Sequence, residues 1–143
     1  MRTHVEVKVS ESLRRLPKDV RERPIVFLRE IADYTHRRML ELTPVRTGGL
    51  RNSIRKDVDE SRLQAQIGAA AKYAPYVEFG TRPHLIEPVR ARALRFTVGG
   101  EIVFARLVRH PGTKPKWFVR RAAEETIAAL KELWRKIWSE GGK

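Results

Sequence analysis

The stretch IVFLREIADYTHRRMLEL, residues 25–42, decides the fold because its apolar residues recur at steps of three and four. That spacing places them along one side of an α-helix, which can bury that side against the rest of the chain. The helix ends at Thr43-Pro44, since a residue before proline avoids the helical region. Pro24 fits the first helical turn or a kink, because proline lacks the amide donor that a helix interior needs. The residues of the stripe are Ile25, Leu28, Ala32, Thr35, Met39 and Leu42.

A second long helix is predicted near the other end of the chain, from about residue 115 to residue 139. Pro115 lies near its first turn and Gly141-Gly142 lie past its end, which are favoured places for these residue types around a helix. Its stripe again follows helical spacing and consists of Val119, Ala122, Ala123, Thr126, Ile127, Leu130, Leu133, Trp134 and Ile137.

Strands are predicted between the two helices. Residues 50–57 and 63–67 have strand composition and are joined through a polar turn. Residues 94–98 and 101–108 alternate apolar and polar side chains on either side of Gly99-Gly100. Two glycines between alternating runs are the signal of a tight β-hairpin.

The remaining segments are shorter. Val5, Val7 and Val9 alternate with polar residues and predict a half-buried strand, and Ser10 or Ser12 could cap a helical turn that reaches Leu16. Residues 69–79 predict a short helix broken at Pro75, and residues 109–115 read as a loop. The 143 residues suit one domain, residues 1–143, of α+β class. Two long helices are expected to pack on one face of a mainly antiparallel sheet, with a β-hairpin around Gly99-Gly100.

Several function classes lose support from the composition. The chain has no cysteine, which excludes disulfide frameworks, zinc–thiolate sites and thiol catalysis. No apolar run approaches the roughly 18 residues of a membrane span, and residues 1–10 lack a secretory apolar region, so we expect a cytosolic origin without membrane contact. The four histidines have no metal-ligand spacing, and neither a phosphate loop nor a nucleophile elbow occurs. These observations predict a protein that is not an enzyme and holds neither metal nor cofactor.

The positive charge is concentrated in one part of the chain. The formal net charge is +13, and residues 81–121 carry ten basic and two acidic side chains. Such a segment suits a polyanion or an acidic protein surface, and equally a solvated face. The candidates for such a contact are Arg90, Arg92, Arg95, Arg106 and Arg109.

Two motifs could form a subunit interface. TGGLRNSI, residues 47–54, joins a glycine turn to a segment with alternate arginines, and YAPYVEFGT, residues 73–81, holds three aromatic residues. Aromatic clusters serve either core packing or subunit contacts. Glu78 is expected to make an ion pair or hydrogen bond, with Arg82 or another subunit's arginine as its partner. The interface candidates are Arg46, Gly48, Gly49, Leu50, Arg51, Tyr73, Tyr76, Glu78, Phe79, Gly80 and Thr81.

These motifs also carry a resemblance to a known family. TPVRTGGLRNSI, residues 43–54, then YAPYVEFGT, and then HPGTKPKWF, residues 110–118, resemble the small tail-completion or head–tail joining proteins of tailed phages. This family of minor tail or neck proteins is typified by the tenth gene product of a lambdoid phage. Pro24, inside the family's first helix, and Trp117, where proline is frequent, depart from its pattern.

The resemblance implies a structural virion protein, located in the tail or neck and made in the host cytoplasm. It implies a homo-oligomeric, hexameric ring around a DNA channel, with the five arginine candidates in contact with DNA in that channel or with an adjoining ring. The implied partners are neighbouring connector and tail proteins. The resemblance implies neither catalysis nor a cofactor. Neck, tail-terminator and tail-completion positions stay open. The alternative from the residues alone is a basic nucleic-acid-binding module without enzymatic activity, supported by the net charge of +13. An enzyme is the third and weakest alternative.

Overall fold

The fold is mixed α+β in the computed structural model, which describes residues 4–8 and 18–140. This confirms the predicted class. The expected strand through Val9 and the helical turn at Ser10–Leu16 lie wholly or partly outside the described residues. The helices that are described are α1 (Lys18–Leu42), α2 (Gly49–Asn52), α3 (Ala74–Phe79) and α4 (Phe118–Glu140). The described strands are β1 (His4–Lys8), β2 (Ile54–Asp59), β3 (Gln64–Ala69), β4 (His84–Ile86), β5 (Leu94–Val98), β6 (Glu101–Ala105) and β7 (Val108–His110).

The strands form small antiparallel sheets instead of one larger sheet. The first has the order β1-β3-β2, while β4 pairs with β7 and β5 pairs with β6. Helix α1 lies against β2 and β3, and the side chains that alternate toward it, including Ile54, Ala65 and Ile67, are buried. Because side chains alternate between the two faces of a strand, one face of this sheet is apolar, and the predicted stripe of α1 packs on that face.

The main core lies where α1 and α4 pack on each other and on this sheet. Leu28, Ala32 and Met39 contribute from α1, as the stripe predicts, and Phe118 and Ala122 contribute from α4. Two stripe positions of α4 are exposed: Ile127 is 68% exposed and Trp134 is 45% exposed. The apolar stripe of α4 is thus wider than the surface of α1 that packs against it.

Polar contacts fix how the two long helices face each other. The buried hydroxyls of Thr35 and Thr126 lie 2.9 Å apart, and each also reaches a carbonyl of its own helix. Nearby, Arg38 Nε donates to Glu125 Oε2 at 2.5 Å. This hydrogen bond lowers the pKa of Glu125, because the guanidinium stabilises the ionised carboxylate.

Two predicted elements begin elsewhere than expected. Residues 50–52, predicted as strand, belong to α2, since Gly48 adopts a φ of 81° and redirects the chain into a helical turn; the strand starts at Ile54. Helix α4 begins at Phe118, so Pro115 precedes the helix instead of opening it. Trp117 has a φ of 51° just before that start. Proline could not adopt this angle, so a proline in place of Trp117 would require a different local backbone.

Two further predictions need correction. Pro24 does not lie in the first helical turn, because α1 starts at Lys18, ahead of the apolar stripe; it lies in the helix interior, and the alternative, a kink, stays a prediction. The predicted strand 101–108 is two strands, since β6 ends at Ala105 and β7 leaves to pair with β4. His110, predicted as loop, is paired with His84 in that ribbon.

Strands β5 and β6 form a two-stranded ribbon around Gly99-Gly100. Val98 is opposite Glu101, and both glycines have positive φ, 60° and 91°. These angles suit the two-residue turns that match the twist of a hairpin. We call residues 94–105 the hairpin.

Candidate interaction surface

The loop after α1 and the start of α3 form a cleft of about 360 Å³. The two sequence motifs therefore meet in space, although eighteen residues, 55–72, separate them in the chain. Gly49 allows this approach, because a Cβ atom there would lie 3.1 Å from Tyr73 Oη. The lining residues are Pro44, Val45, Arg46, Thr47, Gly48, Gly49, Leu50, Tyr73 and Val77.

Helix α3 has one buried side and one outward side. Ala74 and Glu78 point into the protein, while Tyr76 is 62% exposed and Tyr73 is also exposed. Tyr76 borders a second, open cleft of about 630 Å³, which it shares with the residues 80–84 that follow the helix. The outward side of α3 thus joins two concave surfaces through exposed tyrosines, and tyrosine is enriched at protein interfaces.

The inward side of α3 holds the start of α4. Glu78 is 2% exposed, and its carboxylate accepts hydrogen bonds from the backbone N–H groups of Val119 at 2.9 Å and Arg120 at 3.0 Å. Free N–H groups at a helix N-terminus carry partial positive charge, which an ionised carboxylate compensates. The expected hydrogen-bonding role of Glu78 is present, but its partner is the backbone of α4 and not Arg82.

A crossing of two backbone segments completes this junction. Thr81 and Thr113 exchange both backbone hydrogen bonds, at 3.0 and 3.1 Å. A Cβ atom on Gly80 would lie 2.3 Å from the carbonyl oxygen of Thr113, and one on Gly112 would lie 2.3 Å from that of Thr81. Each glycine therefore leaves room for the carbonyl of the opposite segment. Sequence reasoning noted both motifs but not this contact, which the paired EFGT and HPGT sequences could have indicated.

The interface candidates thus divide into two groups. Leu50 and Glu78 are buried within the chain, and Phe79 packs its ring edge-on to Trp117 at 5.6 Å, so these three act inside the subunit. Gly80 and Thr81 belong to the backbone crossing. The candidates with exposed side chains are Arg46, Arg51, Tyr73 and Tyr76.

The arginine candidates are all exposed but do not share one strand face. Arg90 and Arg92 lie in the loop before β5, so they belong to neither face of the hairpin strands. Arg95 lies on β5 opposite Phe104, and Arg109 lies on β7 in the other ribbon. These arginines and Arg106, between β6 and β7, make no ion pair with the residues that the structure describes.

The described residues offer neither a metal site nor a membrane-spanning helix. Within residues 4–8 and 18–140, no three side chains of the metal-binding types lie together. His84 and His110 stack at 5.0 Å, but each Nδ1 already has a backbone partner, the carbonyl of Arg82 and the N–H of Gly112. None of the described helices combines the length and the apolar character needed to cross a bilayer.

Comparison with known proteins places the chain in a family. The family model described as "Bacteriophage HK97-gp10, putative tail-component" matches residues 8–80, about half of the chain. The chain belongs to the HK97-gp10-like family. This confirms the resemblance carried by the motifs and identifies the chain as a member of a family of structural phage tail components. No curated protein and no solved structure matches the chain.

The HK97-gp10-like match has a clear structural meaning. It runs through α1, the glycine loop, β2, β3 and α3, and it ends at Gly80. The cleft between the glycine loop and Tyr73 therefore lies wholly inside the matched range. The hairpin, the basic segment and α4 lie outside it, as does the third motif, residues 110–118.

Proposed function

We propose that this chain is a structural virion protein that forms a hexameric ring at the head–tail junction or the head-proximal end of the tail. In this proposal DNA passes through the ring without sequence-specific binding, adjoining connector and tail proteins stack on it, and the chain catalyses no reaction. Membership of a phage tail-component family supports the virion role. The ring and its place extend the resemblance of the three motifs to tail-completion proteins.

The observation that carries the proposal is the exposed tyrosine surface of α3. A ring needs each subunit to present two different surfaces, because head-to-tail contacts are heterologous. Tyr73 and Tyr76 and the two clefts beside them supply one surface that is aromatic and concave. The ribbons of β4 to β7 supply apolar and basic side chains elsewhere.

The oligomeric state tests this proposal most directly. We expect native mass spectrometry of the purified chain, or of tails that contain it, to give a defined ring. Tyr76→Ser should weaken assembly by about 2 kcal/mol or more, roughly thirtyfold, since buried tyrosines are frequent interface hot spots. The matched control is Ile127→Ser on α4, an equally exposed apolar residue, which should leave assembly unchanged. A chain that stays monomeric at all concentrations and is absent from tails would contradict the ring.

The basic segment makes a separate prediction. Arg90, Arg92 and Arg95 are exposed and without ion pairs among the described residues, so we expect the triple change to serine to leave the monomer folded. Ring stacking or head–tail joining should be impaired, and the difference from the wild type should shrink as salt rises, because salt screens exposed charges beyond about 8 Å at physiological ionic strength. The measurement is the yield of joined, infectious particles. A normal yield would show that these arginines have no role in assembly. It would leave the family assignment unchanged.

The net charge of +13 favours one second candidate, a basic nucleic-acid-binding module. It predicts that the monomer binds duplex DNA with an affinity that falls steeply with salt, since binding releases counterions. A ring that forms without DNA and binds it weakly would favour the structural role over this alternative.

A further inference from the structure

Among the described residues, the hairpin has no adequate partner. Its two strands pack mainly on each other, and Ile102 and Phe104 share one exposed face of the ribbon, with Phe104 66% exposed. A two-stranded hairpin is marginally stable in water by itself, and contiguous exposed apolar side chains mark interaction sites. Both outer edges of the hairpin also carry backbone groups that no described strand pairs. Its stability therefore calls for a partner that supplies both hydrogen bonds and apolar cover.

The three-stranded sheet has a free edge that could provide those hydrogen bonds. Strand β3 is central, so β2 and β1 are the edges, and no described strand pairs with the outer side of β2. Helix α4 contacts β1 at the opposite edge. Strand β2 has six residues and the hairpin strands have five each, so their lengths match. An open edge strand is a template for the addition of another strand.

Charge favours the pairing of these two elements over pairing of two hairpins. The hairpin carries Arg95 and Glu101, and Arg92 and Arg106 flank it, so residues 92–106 are net basic and two hairpins would bring like charges together. Strand β2 has no net charge, because Arg55 and Lys56 balance Asp57 and Asp59. A basic hairpin therefore meets less repulsion at β2 than at a second hairpin, and the exposed Asp57, which has no ion-pair partner among the described residues, is open to its arginines.

We propose that the hairpin of one copy adds to the β2 edge of a second copy and extends its three-stranded sheet to five strands. The proposal rests on the ring proposed above and names one of its subunit contacts. The contact is heterologous, because the hairpin and β2 are different surfaces of the same chain. Repeated from copy to copy, it closes a ring when the rotation per subunit allows closure. The apolar side chains Ile102 and Phe104 become covered at the new sheet.

Site-directed cross-linking tests the contact, and the absence of native cysteine makes it selective. We would place cysteines at Thr97 in the hairpin and Arg55 on β2, both exposed, and treat the assembled protein with a short bismaleimide. The double variant should give a ladder of covalent oligomers up to the full ring, and neither single variant should cross-link. The matched control joins Thr97→Cys with Lys131→Cys on α4, which should give no ladder.

The alternatives give different patterns. A dimer from Thr97→Cys alone would show hairpin-to-hairpin pairing and would overturn the proposal. A ring by native mass with no ladder from the double variant would overturn this contact and leave the proposed function in place. A chain that is monomeric by native mass would overturn both.

A second variant separates a protein partner from DNA. Ile102→Ser with Phe104→Ser keeps the arginines and removes the exposed apolar side chains. We expect unchanged helical circular dichroism, because these side chains lie outside the core, and at least a tenfold rise in the concentration needed for ring assembly. Unchanged assembly together with weaker binding to a duplex DNA probe would assign the hairpin to DNA and overturn the proposal.

Discussion

Replacing either Gly80 or Gly112 with alanine is expected to destabilise the protein more than alanine at any other described glycine with a positive φ. Each glycine has a positive φ, 71° and 84°, and a Cβ atom would lie 2.3 Å from a backbone carbonyl oxygen of the opposite segment. Backbone cannot move aside as a flexible side chain can, so the Thr81–Thr113 pair must separate. We expect a loss of about 3 kcal/mol or more in the free energy of unfolding, of which strained φ supplies about 1 kcal/mol. The measurement is urea or thermal denaturation followed by circular dichroism.

Gly100→Ala is the matched control for this prediction. Gly100 also has a positive φ, 91°, so alanine there strains the backbone too, but no atom lies within 4 Å of its Cβ position. We expect a loss of about 1 kcal/mol, confined to the hairpin. Equal losses at Gly80 and Gly100 would show that strain, and not the close backbone crossing, governs the effect.

The crossing also marks the limit of what the sequence could predict. The helix stripes were readable because they depend on local spacing, and Leu28, Ala32 and Met39 are buried as expected. The Thr81–Thr113 crossing joins segments 32 residues apart, and only the similar EFGT and HPGT sequences indicate it, because no rule of local spacing pairs such distant segments. The same holds for β7, whose partner β4 was not predicted, so the run 101–108 looked like one strand.

The candidate surface shows the same division. The sequence correctly drew attention to the glycine loop and the tyrosine motif, yet it could not say which side chains point outward. Tyr76 is exposed and Glu78 is buried because α3 is a helix, which puts neighbouring residues on different sides. Predicted as part of a helix broken at Pro75, this segment instead has Pro75 in its first turn, where proline is favoured.

Glu78→Gln is expected to weaken the attachment of α4 to α3. The helical propensity of α4 stays unchanged, because Glu78 belongs to α3. The carboxylate uses one oxygen for each N–H group, of Val119 and Arg120. Glutamine keeps one acceptor oxygen and places an NH₂ donor against the other N–H, which is left unsatisfied in a buried site. Hydrogen bonds to a charged group contribute about 1.5–3 kcal/mol, so we expect a loss of about 2–4 kcal/mol in stability and, with it, weaker assembly. Denaturation of the variant and hydrogen exchange of the first turn of α4 measure the two effects.

The control for Glu78→Gln is Glu124→Gln, which removes a charge of the same sign from the second turn of α4. Glu124 pairs with Arg120 on the exposed side of α4, and exposed pairs of this spacing contribute under about 0.5 kcal/mol. If only Glu78→Gln lowers the stability, the loss comes from the buried cap, which is the pair of hydrogen bonds that Glu78 accepts from the first turn of α4. It then does not come from the general electrostatic effect of acidic residues near the helix. If both variants were equally stable, the cap would not hold α4, and the start of that helix would depend on the packing of Phe118 and on the backbone hydrogen bonds from Lys116 and Trp117 to α3.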